Sequence, residues 1–523
     1  MVIQDDTIVC IGTLQSCEID TYYKKYTKID AKKSSLYPGF IDAHTHVGFA
    51  SLLFKTGLDL SRERGKKNIL RAIKAYDNKY PHKKVIFAFG VYPYIFGQQG
   101  PHKKILDDII DDKPIIILSQ NGHAAWMNSY ALKLLNLTVD TIDKTATDHR
   151  YIIDKQGKLS GFMLEGASFF PYLEKLGIGS TKEFKTSFEA FLPQFSKWGV
   201  TTIFDAGTAG LESFALDALR KLQHEKKLPL RYVASYYVMT KNDTKDAVEH
   251  YKKLKHKYEK GLISVGAIKL LADGEDDDES HNNGHFIHYN EKRMLETLLP
   301  MLKNNISIMI HTSIDKSTHI AIEAIEKAKQ KYPHSQSRIT LSHLNMVRDN
   351  DFKRMRFNNI IANVQPFNAS AQGFYEYRYV EYEDKYNYAW ENKLVRLNNF
   401  VKNGVLLTAS SDYPACPIKQ KECRPLANIE IGMTRKTLGA NDNTEPLDSP
   451  DEKLSLQDSL DAYTINAAYQ LGLENEVGSI EVGKKADIIL INNNLATLKP
   501  YQISKSKILL TISNGTIVYN NLK

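Results

Sequence analysis

Eight short apolar runs, most of them separated by stretches of helical periodicity, constrain the fold of this chain more than any other feature. They are FIDAH (40–44), TTIFDAG (201–207), RYVASYYV (231–238), GAIKLLADG (266–274), ISIMIHT (306–312), RITLSHL (338–344), IIANVQP (360–366) and GVLLTASSD (404–412). The clearest intervening helix is THIAIEAIEKAKQKY (318–332), with Ile320, Ala324, Ile325 and Ala328 on one face. Strands alternating with helices build a parallel sheet, and eight such units is the count of an α/β TIM barrel, (β/α)8. One gap, residues 50–195, is too long for a simple crossover. It holds strand signals of its own in KKVIFAFGVYP (83–93) and PIIILSQNGH (114–123), and reads as an insertion after the first strand, over the barrel mouth. Residues 1–37 and 476–523 carry short strands with Gly and Asn turns. They bracket the barrel (38–475), so both chain ends are expected to meet in one small β-sandwich domain.

Composition narrows the classes of function. The net charge is +8, but Lys and Arg are interleaved with Asp and Glu, and the densest basic stretch, KKLKHKYEK (252–260), reads as a solvated helix face. Nucleic acid is therefore not an expected partner. No apolar run approaches the roughly 20 residues that span a bilayer, so no membrane is expected either. The N-terminus, MVIQDDTIVCIG, is acidic and strand-like, unlike a signal peptide. Cys10, Cys17, Cys416 and Cys423 form no CxxC pair and are too few for a disulfide scaffold at this length. They read as free thiols, Cys416 and Cys423 in the loop after Asp412, and suit a reducing, cytoplasmic setting.

The chemistry gathers at the ends of the runs. Neighbours at i and i+2 on a strand share a side, so His44 and His46 in PGFIDAHTHVGF (38–49) project together from the end of the first. The fourth run carries Lys269, the fifth ends in His311, the sixth in His343 and the eighth in Asp412. In a TIM barrel that rim is the active-site face. Each residue alone has an ordinary reading: a satisfied rim histidine, a snorkelling lysine, a helix-capping aspartate. Together they do not, because four imidazoles, an ammonium and a carboxylate buried unpaired would be very costly. One or two divalent cations satisfy all of them. Imidazole and carboxylate suit zinc foremost, with nickel or manganese as alternatives.

These motifs resemble the amidohydrolase superfamily, in particular its YtcJ-like branch, which includes N-substituted formamide deformylase. The resemblance runs over nearly the whole chain. It is carried by PGFIDAHTH, NGHAAWMNSYAL (121–132), GFMLEGA (161–167), GVTTIFDAG, IKLLADG, MIHTSIDKS, ITLSHL, NVQPF, SSDYP and TINAAYQLGLENEVGSIEVGKKADIILI in that order. It implies a (β/α)8 barrel with a β-sandwich from both ends. It further implies that His44 and His46 bind the more buried metal, that Lys269 bridges two metals as a carbamate, and that His311 and His343 bind the second. Asp412 would ligate and carry protons, His123 would meet the substrate from the insertion, and Glu165 and Trp126 would support the substrate pocket. The chain departs from the pattern in three places. It begins late, without a first sandwich strand. Ile314 replaces a glycine before Asp315, and the acidic run Glu275–Glu279 follows ADG.

The reaction implied is hydrolysis of a C–N bond in an amide, formamide or cyclic amide of a small molecule, by water activated at the metal. Two alternatives stay open: a deaminase of a heterocycle on the same barrel, and a metal-binding scaffold without catalysis. A homodimer is compatible with the chain. The acidic run reads first as a solvated loop. The sharper reading is that it binds a cationic substrate group, a pair worth on the order of 4 kcal/mol at an effective dielectric near 20 before desolvation. GFYEYRYVEYEDKYNYAWENK (373–393) reads either as an aromatic pocket wall or as an amphipathic surface helix.

Overall fold

The fold is described from a computed structural model, for all residues except 14, 18–25, 98, 121, 145, 147–148, 241–242, 275–286, 371–393, 417–421, 442, 448 and 523. The acidic run 275–279 and the tyrosine-rich segment 373–393 lie outside the described residues.

All eight expected strands form. They are β1 (Phe40–Thr45), β2 (Val200–Asp205), β3 (Arg231–Tyr237), β4 (Ile263–Leu271), β5 (Ile308–Thr312), β6 (Ile339–His343), β7 (Ile360–Val364) and β8 (Leu407–Ala409). They pair in sequence order as one parallel sheet. Just beyond β8, Tyr413 bridges Thr45 of β1 in parallel and Asp412 N donates to His44 O at 2.9 Å, which brings the two ends of the sheet together. Both faces of most strands are buried, which is why they read as continuous apolar runs and not as alternating ones. Phe204, Val233, Ala267 and Met309 form one apolar cluster from β2 to β5. Ala267 and Met309 stand two residues before Lys269 and His311, on the same side of their strands, so this cluster underlies the site.

The helices follow the 3.6-residue pattern. The helix expected over 318–332 spans Asp315–Lys331 and buries Ala324, Ile325 and Ala328. Helix α1 (Val47–Thr56) follows β1, and α2 (Thr181–Lys197) precedes β2. Because α2 packs on α1 and on the helix Glu212–His224, it belongs to the barrel wall. The insertion is therefore shorter than the expected 50–195, lying between Gly57 and Ser180. Its six-stranded sheet runs in the order 58–59, 86–91, 115–119, 124–127, 159–164, 150–153 and has its own core of Leu60, Ile69, Ile73, Ile115 and Trp126.

The chain ends form the small β-domain. Ser35–Pro38 pairs antiparallel with Ile488–Ile491, which continues to Ile508–Ser513 and Thr516–Asn520. A hairpin of Val2–Gln4 and Thr7–Cys10 joins it through the Thr7–Lys485 bridge, and Ile8 packs with Ile488, Leu490, Leu510 and Ile512. The N-terminal residues thus do supply strands to this domain.

The reading of the cysteines as free thiols is corrected. Cys10 pairs with Cys17 and Cys416 with Cys423. Each pair is seven residues apart in sequence, with Cα atoms 5.8 and 5.5 Å apart, within bridging range. Spacing alone does not encode that proximity. The pairing also removes the ground on which a reducing, cytoplasmic setting was expected. No helix among the described residues is long and apolar enough to cross a membrane.

Candidate metal centre

His44 and His46 leave the end of β1 on one side, as the i, i+2 spacing requires. His46 Nδ1 lies 3.3 Å from Gly207 O, so it holds the proton and Nε2 is left as the ligating atom. Asp412 adopts φ 48°, a left-handed turn directly after β8. Its Oδ1 stands 3.5 Å from His44 Nε2 and 3.6 Å from His46 Nε2. Two tetrahedral ligands of one zinc, each at about 2.0–2.1 Å, stand roughly 3.3 Å from one another. These three residues are the set among the described residues whose donor atoms all lie within 4.8 Å of one another.

The remaining expected ligands surround this set. Lys269 is 1 % exposed, with Nζ 3.3 Å from His44 Nε2 and 3.5 Å from Ser342 Oγ. The His343 ring is 5.0 Å from that of His44 and 4.1 Å from that of His311, centroid to centroid. Strand parity points Ser342 inward and would point His343 outward. A left-handed φ of 75° at His343 reverses this at the strand end. Its Nδ1 lies 2.8 Å from Gln365 Oε1, so Nδ1 donates there. His311 Nε2 meets Asp273 Oδ1 at 3.3 Å and Ser313 Oγ at 3.2 Å, which leaves Nδ1 as its ligating atom.

A cation fits this donor set. Asp412 Oδ1 and His343 Nε2 are buried without a hydrogen-bond partner. Orphaned acceptors at the centre of a polar cluster are costly unless something electropositive meets them. The electrostatics agree. Burial, then Lys269 and the neighbouring rings, hold His44 well below its ordinary pKa. Burial likewise holds down His311 and His343. His46, part-exposed at the mouth, is lowered in the same direction, by partial burial and then Lys269. All four shifts favour the neutral ring, the form that ligates a metal. Burial also lowers Lys269 and raises Asp412.

The insertion brings His123 to this mouth, within electrostatic reach of His46, His311, His343 and Asp412. It is tied to Glu165 twice. Glu165 N donates to His123 O at 2.6 Å, and His123 Nδ1 lies 3.3 Å from Glu165 Oε2. Glu165 is 1 % exposed and strained, at φ 69° and ψ 141°. Trp126 lies elsewhere. It is packed against Phe96 inside the insertion's core, so the expected substrate contact is replaced by a packing role. The alternation along 124–127 separates its ring from the strand end that carries His123.

Three groups at the site escaped sequence reasoning. Asp273 orients His311 and accepts from the backbone of Ser313 and Ile314 and from Ser317 Oγ. Gln365 orients His343, and His288 Nε2 stands 3.8 Å from Glu165 Oε2. The ADG triplet, whose Asp273 stands four residues after Lys269, and the NVQPF run were visible signals for the first two. His288 has none, because no motif or spacing in the sequence marks it.

The fold and this donor set fit a metal-dependent hydrolase. The chain belongs to the amidohydrolase family, whose model matches residues 27–519. It is 22 % identical to the N-substituted formamide deformylase of Arthrobacter pascens, over 94 % of this chain and 89 % of that one. It is 23 % identical to the putative amidohydrolase YtcJ of Bacillus subtilis, over 99 % and 95 %. Both fit the YtcJ-like branch. Among solved structures, an uncharacterized metal-dependent hydrolase from Pyrococcus horikoshii superposes with a TM-score of 0.67 at 20 % identity, over 95 % of this chain and 94 % of that one. Atrazine chlorohydrolase TrzN from Arthrobacter aurescens, complexed with zinc, shares the fold at a TM-score of 0.53 and 12 % identity, over 99 % and 90 %.

Proposed function

We propose that this chain hydrolyses a C–N bond of an amide, formamide or cyclic amide in a small molecule, at a centre of one or two divalent cations, zinc foremost. The observation that carries the reading is the set of His44, His46 and Asp412 donor atoms lying within 4.8 Å of one another around Asp412 Oδ1, a buried acceptor with no hydrogen-bond partner. His44, His46 and Asp412 would hold one cation. His311 and His343 would hold a second, bridged by Lys269 as a carbamate. Burial that lowers the Lys269 pKa favours the neutral amine, which is the form that adds carbon dioxide. A bound cation supplies acidified water and stabilises negative charge on an adjacent oxygen.

The protein's own groups do the rest. Asp412, raised by burial, accepts the proton of the attacking water and returns it to the departing nitrogen. His123, with Nδ1 held by Glu165, meets the substrate carbonyl oxygen through Nε2. Glu165 fixes that ring, and its strained backbone is the kind of cost that persists at functional positions.

The test is a panel of N-formyl, N-acyl and cyclic amides given to zinc- or manganese-loaded protein, with the metal-stripped protein as control. Metal-dependent release of the amine is expected. Ammonia release from heterocyclic amines, with every amide inert, would instead make the chain a deaminase.

A further inference from the structure

His46 occupies an awkward position. It is the N-cap residue of α1, yet its side chain makes no capping hydrogen bond, and the first turn of α1 carries no acidic residue. An imidazole turned toward the mouth cannot also serve the free N–H groups of a helix start. Asp205, at the end of β2, fills that place from outside. It is 1 % exposed, and its Oδ2 accepts from Gly48 N at 3.1 Å. Its Oδ1 accepts from Gly207 N at 3.3 Å. The same carboxylate takes the hydroxyls of Thr208, at 3.3 Å, and Tyr232. Gly207 is the residue whose carbonyl faces His46 Nδ1. One side chain thus grips the backbone at Gly48, two residues after His46, and at Gly207, which fixes the His46 tautomer. Gly48 has to be glycine for this, because a Cβ there would collide with Asp205 Oδ2.

We propose that Asp205 is a positioning residue for the metal centre, setting the direction of His46 Nε2 by clamping the backbone on both sides of that ring. The inference rests on the reading of His46 as a ligand. Outer residues that orient a ligating imidazole typically change metal affinity by 10–100-fold when altered.

The experiment titrates Zn2+ into metal-stripped full-length protein against a chromophoric chelator, with circular dichroism checking the fold of each variant. Asp205→Asn keeps the shape but turns an amide NH2 toward one of the two backbone donors, so Zn2+ Kd should rise 10- to 100-fold. Gly48→Ala leaves every charge in place and displaces the carboxylate, so it should weaken Zn2+ at least fivefold and carries the test if Asp205→Asn fails to fold. Glu212→Gln alters the neighbouring buried acid, which grips neither side of His46, and should stay within threefold of the parent. If Asp205→Asn and Gly48→Ala bind Zn2+ no more weakly than Glu212→Gln, the inference is overturned. His46→Ala separates the two levels: an unchanged Zn2+ affinity in that variant would overturn the ligand reading and the inference with it.

Discussion

Asp412 combines an unpartnered buried oxygen with a left-handed backbone that aims it between two histidines. If it moves the water proton, Asp412→Asn should lower kcat by at least about a hundredfold, because asparagine has the size but not the basicity. Circular dichroism should find the fold unchanged. Turnover within a few-fold of the parent, on any amide the panel identifies, would remove Asp412 from proton transfer. Glu212 tests the electrostatics away from the metal. Burial raises its pKa from 4.5 to about 7. The folded chain then keeps a proton that the unfolded chain has already released, so stability falls as pH rises through that window. Glu212→Gln should abolish this loss, gaining on the parent by about 3 kcal/mol between pH 4.5 and 8. Urea unfolding of the metal-stripped proteins measures it; an advantage that does not grow with pH would mean Glu212 titrates normally.

Among the elements, the eight strands were legible because parallel strands buried on both faces leave continuous apolar runs, and the ligands lie at their ends. His343 was found by its place in the run, although its inward direction rests on a left-handed turn that alternation does not encode. The insertion was legible as a separate sheet, but its limits were not, since α2 has the same amphipathic pattern whether it covers a barrel or an insert. Trp126 and the disulfides depended on how segments fold back on one another, which local pattern does not carry. The contact between the insertion and the loop after β4 makes its own prediction. Gly274 lies against Glu165, and a Cβ there would sit on the carboxylate. Gly274→Ala should push Glu165 off His123 and lower kcat/KM by on the order of tenfold or more. Metal content should stay that of the parent, since no ligand moves. Unchanged kcat/KM would mean that the Glu165–His123 pairing does not govern turnover.

At the scale of the molecule, the barrel brings residues far apart in sequence into one mouth, the insertion adds His123 and Glu165, and the two chain ends close a β-domain beside it. The proposed chemistry requires that this mouth hold a divalent cation. Elemental analysis of protein produced with added zinc or manganese tests it most directly, with the parent compared to a variant carrying His44→Ala and His46→Ala. One or two equivalents of metal per chain are expected in the parent, and a loss of at least one in the variant. A parent with no stoichiometric metal, or a variant that retains all of it, would mean that this mouth is not a metal centre.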